Sequence, residues 1–135
     1  MVAKTLKPDA IQRLAETSTS VQTPCECARR PMPGWDSQSS TFPDELLICL
    51  GKVAQDSDSE PTVEEYHPNR TNLWSPDAPI ALNYFPANRS EVWQCSRCSR
   101  CYLRYTEYGG YYVDRRIRAL QPDLITLAGD PNKPG

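Results

Sequence analysis

The sequence predicts an α+β fold, in which a small antiparallel sheet is combined with two or three short helices and many proline-rich loops. The stretch 91–113 is rich in aromatic and β-branched residues and contains Gly109-Gly110, a pattern typical of strands joined by a tight two-residue turn. Elsewhere, apolar residues recur at helical spacing in short segments. Thirteen prolines in 135 residues, with a mean hydropathy of −0.63, indicate that much of the remaining chain runs in loops.

Three segments carry helical signals. Residues 8–16 begin with a proline and then place apolar side chains on one stripe, which predicts a short amphipathic helix. Residues 41–50 start with a Thr-x-x-Asp capping pattern and are followed by Gly51, which predicts a second helix and its end. Residues 114–120 open with an aspartate at the positive end of a helix dipole and predict a third. The apolar run 80–85, which ends at a proline, predicts a buried strand.

The cysteines occur in two close pairs that suit one metal site. Cys95 and Cys98 are separated by two residues, a spacing that lets one turn point both sulfurs at a single ion. Residues 91–94 can form the strand that enters this turn. Cys25 and Cys27 are separated by one residue, and residues i and i+2 of an extended segment face the same side. We therefore predict that the two pairs bind one ion together.

The order strand, CxxC turn, strand, Gly-Gly, strand between 91 and 113 resembles a zinc ribbon, a class in which a small antiparallel sheet carries a thiolate site at one end. The resemblance implies a structural zinc ion. In this chain the ribbon's second CxxC is replaced by Cys-Glu-Cys. The preferred ligands are Cys25, Cys27, Cys95 and Cys98.

Two alternative ligands stay open, and one cysteine is set aside. Cys101 continues the regular x2-x2 spacing and competes for a ligand position, and His67 is the single imidazole in the chain. Cys49 lies inside the apolar run of the predicted second helix. We expect it to be a buried thiol that behaves as a small hydrophobe.

Length and termini predict one domain in a reducing compartment. The N-terminus lacks the apolar core of a secretory signal and no stretch approaches a membrane span, so we expect a cytoplasmic protein. There, paired thiols favour zinc over disulfides or an iron–sulfur cluster. We expect residues 1–23 to form a helix and polar linker, 24–128 a single zinc-stabilised domain with its ribbon at 91–113, and 129–135 a flexible tail.

The sequence offers no catalytic motif, so we expect a protein that is not an enzyme. Phosphate-binding loops, dinucleotide fingerprints and nucleophile elbows are all lacking. The zinc nucleobase deaminases combine H-x-E with P-C-x-x-C. Here His67 lacks the partner glutamate, and Gln94 occupies the position of the proline before Cys95.

Two binding functions remain: a protein-binding module and, as the alternative, a nucleic-acid-binding zinc-ribbon regulator. Six arginines in 95–120 alternate with tyrosines, which suits either a stacked base or a protein interface. The net charge of −2 and pI near 5.4 weigh against a dedicated nucleic-acid domain. The acidic segment 36–65 supplies a second face of opposite sign, which can steer a charged partner. The predicted contact residues are Asp56, Asp58, Glu60, Glu64 and Glu65 toward a basic partner, and Tyr108, Tyr111, Arg115 and Arg118 toward an acidic one.

Small size, acidic charge and a lack of catalytic groups together resemble stoichiometric inhibitors, including the bacterial immunity proteins that neutralise a cognate toxin. This resemblance implies that the partner is another protein, such as a toxin or an effector.

Overall fold

The fold is known from a computed structural model, which describes residues 5–53 and 64–126. The α-helix is α1 Pro8–Ser20, and the strands are β1 Thr5–Leu6, β2 Asp36–Ser37, β3 Leu47–Val53, β4 Ile80–Ala81, β5 Glu91–Cys95, β6 Cys101–Tyr108, β7 Val113–Ala119 and β8 Ile125–Thr126. Six strands form one mixed sheet in the order β1-β3-β5-β6-β7-β2, and β4 pairs with β8 in a separate two-stranded sheet. Within the described residues no helix has the length and apolar character needed to cross a membrane.

The prediction of a small antiparallel sheet with two or three helices is wrong, because the described chain has one α-helix and eight strands, six of which form one mixed sheet. In the predicted second helix the capping pattern leads only into a 3-10 turn, Asp44–Leu46, and the apolar run continues as β3. A short apolar run fits a helix or a strand equally well, and here pairing with β5 decides for the strand. Gly51, which had predicted a helix end, instead lies at a β-bulge with φ of 152°.

The predicted third helix is also a strand. Residues 113–119 form β7, which pairs with β6 from Tyr108↔Val113 to Tyr102↔Ala119. Its valine and isoleucine favour an extended chain, and a partner strand was available immediately before it. Consequently Ile117 and Arg118, which a helix would have separated by 100°, face opposite sides of the sheet.

The hairpin predicted around 91–113 is present, with a longer turn. β5 enters the CxxC turn and β6 leaves it, and the two strands pair antiparallel. Between β6 and β7 the loop has four residues, 109–112, closed by a 2.9 Å bond from Gly109 N to Tyr112 O. A Cβ on Gly109 would collide with the Tyr112 ring, so a larger residue there would require that exposed side chain to move.

Each face of the large sheet carries its own apolar cluster. On one face, α1 packs through Ile11 and Ala15 against Val92 and Leu103, which we call the helix-side core. The predicted N-terminal helix is confirmed, and it extends to Ser20. The opposite face carries the metal-side core, which contains Cys27, Met32, Leu47, Cys95, Tyr102 and Ile117. The predicted metal ligands therefore lie against the sheet face that α1 does not cover.

One minor prediction is met in part, and another concerns residues that the structure does not describe. The expected strand at 80–85 is limited to β4, which pairs with β8 in parallel at Ile80↔Ile125. The tail 129–135 lies outside the described residues.

Candidate metal centre

Two distant segments bring the four predicted cysteines together. Cys25 is extended and precedes a 3-10 turn, Glu26–Ala28, which carries Cys27. Cys95 is the last residue of β5, and Cys98 lies in the turn that follows. The four sulfurs lie within 4.8 Å of one another.

The sulfur positions fit a single metal ion. Cys25 Sγ is 3.7 Å from Cys95 Sγ, and Cys27 Sγ is 3.4 Å from Cys98 Sγ. A tetrahedral ion with metal–sulfur bonds of about 2.3 Å holds its sulfurs about 3.8 Å apart. All six cysteines lie in the described residues and none is in a disulfide. A soft, four-sulfur donor set of this size can therefore hold one ion, whereas a multinuclear cluster would need more room between its ligands.

Cys101, the competing ligand, belongs to the other side of the sheet. It is the first residue of β6 and is buried in the helix-side core. Successive residues of a strand point to opposite faces, so Tyr102 faces the metal side and Cys101 faces away. Burial raises the pKa of the Cys101 thiol to about 11, so it stays protonated at neutral pH. The strand that starts immediately after the CxxC turn thus removes the third cysteine from the site.

His67 is also outside the site. Its Nε2 lies 2.7 Å from Glu65 Oε1 and its Nδ1 lies 2.7 Å from Thr71 Oγ1, so both ring nitrogens have partners in their own loop. Cys49 differs from expectation, since the thiol is exposed. It lies on β3 instead of a helix, where the strand presents it to solvent.

Two further side chains support the site, and sequence reasoning had not assigned them this role. The Tyr102 hydroxyl donates toward both Cys27 Sγ and Cys27 O, at 3.2 Å each. Arg100 Nη1 donates to Thr23 O at 2.8 Å, which ties the segment before Cys25 to the CxxC turn. The alternation of β6 was the available signal for Tyr102, because it places that residue on the same face as Trp93, its cross-strand neighbour.

Cys27 is buried within the four-sulfur cluster. Burial raises its pKa well above the ordinary value, while the hydrogen bond from Tyr102 opposes this rise. A buried thiolate needs a counter-charge, and a bound cation is one way to supply it. Arg29, Arg97 and Arg100 line an open depression beside Cys25, where they can offset the negative charge of a four-thiolate site.

Tyr102→Phe is expected to weaken metal binding while preserving the fold. The ring stays in the metal-side core, but the hydroxyl donor to Cys27 Sγ is lost, and losing a partner that supports a ligand typically costs 10–100-fold in affinity. A competition titration with a chromogenic chelator measures this. The matched control is Tyr105→Phe, whose hydroxyl lies on the other face of the sheet and accepts from Arg116. Equal affinities for the two variants would contradict a role for Tyr102 at the site.

The predicted partner residues are spread over several parts of the molecule. Asp56, Asp58 and Glu60 lie outside the described residues. Glu64 and Glu65 are exposed, and Glu65 contacts His67. Tyr108, Tyr111 and Arg115 are exposed at or near the β6–β7 loop.

The prediction that Arg118 is a surface contact residue is wrong. Arg118 is 1% exposed and donates to Pro33 O and Ala78 O. It holds two loop segments against β7. Arg118 is buried because residues 113–119 form a strand, in which its side chain points to the face of the sheet that α1 covers.

Comparison with protein-family models, with curated proteins and with solved structures found no match for this chain. Its function therefore has to follow from its own residues.

Proposed function

We propose that the protein is a non-enzymatic protein-binding module with a structural zinc ion in the four-cysteine site. The observation that carries the binding function is the tip of the β6–β7 hairpin, which presents large apolar side chains to solvent. We define this hairpin tip as Tyr108, Tyr111, Tyr112 and Val113.

Zinc is the ion proposed because four thiolates from two segments can fill all four positions of a tetrahedral zinc ion. Structural zinc sites are closed in this way, whereas catalytic ones keep a coordination position for water or substrate. The site also joins the segment at Cys25 to the turn at Cys98, so binding of the ion stabilises the folded chain. These features support a structural role for the ion and, with the lack of catalytic motifs, a protein without enzymatic activity.

The hairpin tip supports protein binding through its exposure. Tyr111 is fully exposed, Tyr108 is 77% exposed, and Val113 is 64% exposed. Tyrosine combines a large apolar ring with a hydroxyl and loses little conformational entropy when it is fixed, so it is enriched at protein interfaces. The tip extends past the end of β5, whose pairing with β6 stops at Arg104. A projecting aromatic hairpin of this kind suits insertion into a concave partner.

A stoichiometric inhibitor, such as an immunity protein, is the specific form of this proposal. A module without catalytic groups can control an enzyme by occupying its surface. A captured partner that is an enzyme, and whose activity is lost on addition of one equivalent of this protein, would support that form.

Removing the tip rings is expected to weaken partner binding at least about 30-fold. Buried tyrosine anchors contribute about 2 kcal/mol each at interfaces, and every 1.4 kcal/mol is a factor of ten. The measurement is capture from the native host, identification of the partner, and titration of the two purified proteins with the double variant Tyr111→Ser/Tyr112→Ser. Ile48→Ser is the control, since Ile48 is another exposed apolar residue, on β3. A partner that binds both variants as tightly as the original chain would overturn the assignment to the tip.

A further inference from the structure

We propose that a cationic groove on the uncovered half of the sheet is the docking site for an acidic segment of the protein partner. This inference rests on the proposed protein-binding function and adds the chemistry of what is bound. The groove is an open concavity of about 690 Å³. Its charged lining consists of Lys52, Arg89, Arg104, Arg115, Asp44 and Glu91.

The groove exists because the metal-side core covers only part of its sheet face. Tyr102 and Ile117 are buried beneath the cysteine segment. Further along the same face, the register pairs Glu91 with Arg104 and Thr106 with Arg115, and these residues line the groove. The sheet face therefore changes from an apolar, covered end to a charged, open end.

The charge of the groove is opposite to that of the whole chain. Four cationic and two acidic side chains line it, whereas the full sequence has a net charge of −2. Lys52 and Arg89 are exposed and form no ion pair within 5–53 and 64–126. A locally positive concavity on an acidic protein focuses its attraction for anions at one place.

One internal contact shows which anion the groove accommodates. Asp44 places one carboxylate oxygen 2.8 Å from Arg104 Nη1 and the other 3.5 Å from Arg115 Nη1. Arg104 is held in place by stacking, since its guanidinium lies 4.5 Å from the centre of the Trp93 ring. Arg115 remains 63% exposed and keeps donors for a further carboxylate. The groove thus already binds a carboxylate of its own chain and retains room and charge for others.

The groove is continuous with the hairpin tip. Arg104, Thr106 and Tyr108 alternate along β6, so all three point to the same face of the sheet. A partner that receives the tip in a cavity would bring its adjoining surface over the groove. Complementary charge there would then set orientation and association rate, while the aromatic tip supplies the affinity.

A protein segment fits these observations better than a nucleic acid. Asp44 and Glu91 lie within the groove, and the remaining chain is acidic, so a long polyphosphate would meet repulsion along and beyond the site. A short run of aspartate or glutamate places charge only where the cations are.

The test uses a short fluorescein-labelled peptide of alternating glutamate and serine, with fluorescence anisotropy at low ionic strength as readout. We expect the peptide to bind and the double variant Lys52→Glu/Arg115→Glu to weaken binding at least about tenfold, since two favourable contacts become repulsive. Lys52→Gln/Arg115→Gln, which only neutralises the charges, serves if the reversal impairs folding. Arg13→Glu is the matched control, because Arg13 is exposed on α1 and does not line the groove.

Three outcomes would overturn the groove proposal: no peptide binding, equal weakening by Arg13→Glu, or tighter binding of an oligothymidylate that is lost in the same groove variants. The last would replace an acidic protein by single-stranded nucleic acid as the ligand. The two proposals also fail separately. A partner that depends on the hairpin tip but not on the groove charges leaves protein binding standing without this site. Peptide binding at the groove, with no partner that depends on the tip, leaves the groove standing alone.

Discussion

Replacing Cys98 with serine is expected to release the metal and unfold the chain at physiological temperature. The four sulfurs come from two segments, so a bound ion would close the fold across the long interval between Cys27 and Cys95. Apparent binding free energies at four-ligand zinc sites are about 10–16 kcal/mol, which is comparable to the whole stability of a domain. Serine is a poor ligand for a soft site. The loss of even half of this free energy would leave the folded state unpopulated.

Metal content of the purified protein, together with thermal unfolding followed by circular dichroism, measures this effect. Cys49→Ser is the matched control, since Cys49 is an exposed thiol outside the cluster, and we expect unchanged metal content and an unchanged midpoint. A strong chelator should reproduce the effect of Cys98→Ser on the original chain. If Cys98→Ser retained one equivalent of metal and the original midpoint, the site would not be structural.

Arg118→Ala is expected to lower the free energy of unfolding by about 3 kcal/mol. The side chain is buried, and its guanidinium donates to carbonyls of two separate loops, at Pro33 and Ala78. Truncation leaves a cavity and deprives a buried carbonyl of its donor, and each of these typically costs 1–3 kcal/mol or more. Relief of the buried charge offsets part of this cost, since burial lowers the pKa of Arg118 to about 10 while Asp77 opposes the shift.

Urea unfolding followed by tryptophan fluorescence measures the change. Arg115→Ala is the control on the same strand, where we expect less than about 0.5 kcal/mol because exposed ion pairs contribute little. Arg118→Lys should recover only part of the loss, because an ammonium lacks the planar fork that reaches both carbonyls. An Arg118→Ala chain as stable as the original would show that the two loops are held by other contacts.

The sequence alone determined the features that depend on neighbouring residues. The two cysteine pairs were recognisable because metal binding requires close spacing, and the strands around the CxxC turn followed from the residues on either side of it. Proline at the first turn and a single apolar stripe were enough to place α1. Each of these signals is complete within a few residues.

Only the tertiary structure decided the features that depend on a partner segment. The runs that became β3 and β7 have patterns that a helix would also satisfy, and they are strands because β5 and β6 offer them backbone hydrogen bonds. Because side chains of a strand alternate every second residue, whereas those of a helix repeat every 3.6 residues, the change from helix to strand altered which side each residue faces. Strand geometry buried Arg118 and exposed Cys49. In the same way, the start of β6 turned Cys101 away from the four-sulfur cluster. Which face of a sheet a residue occupies depends on how the strands pair. Local spacing could therefore predict that the two cysteine pairs form one site, but it could not predict which of the neighbouring residues face that site.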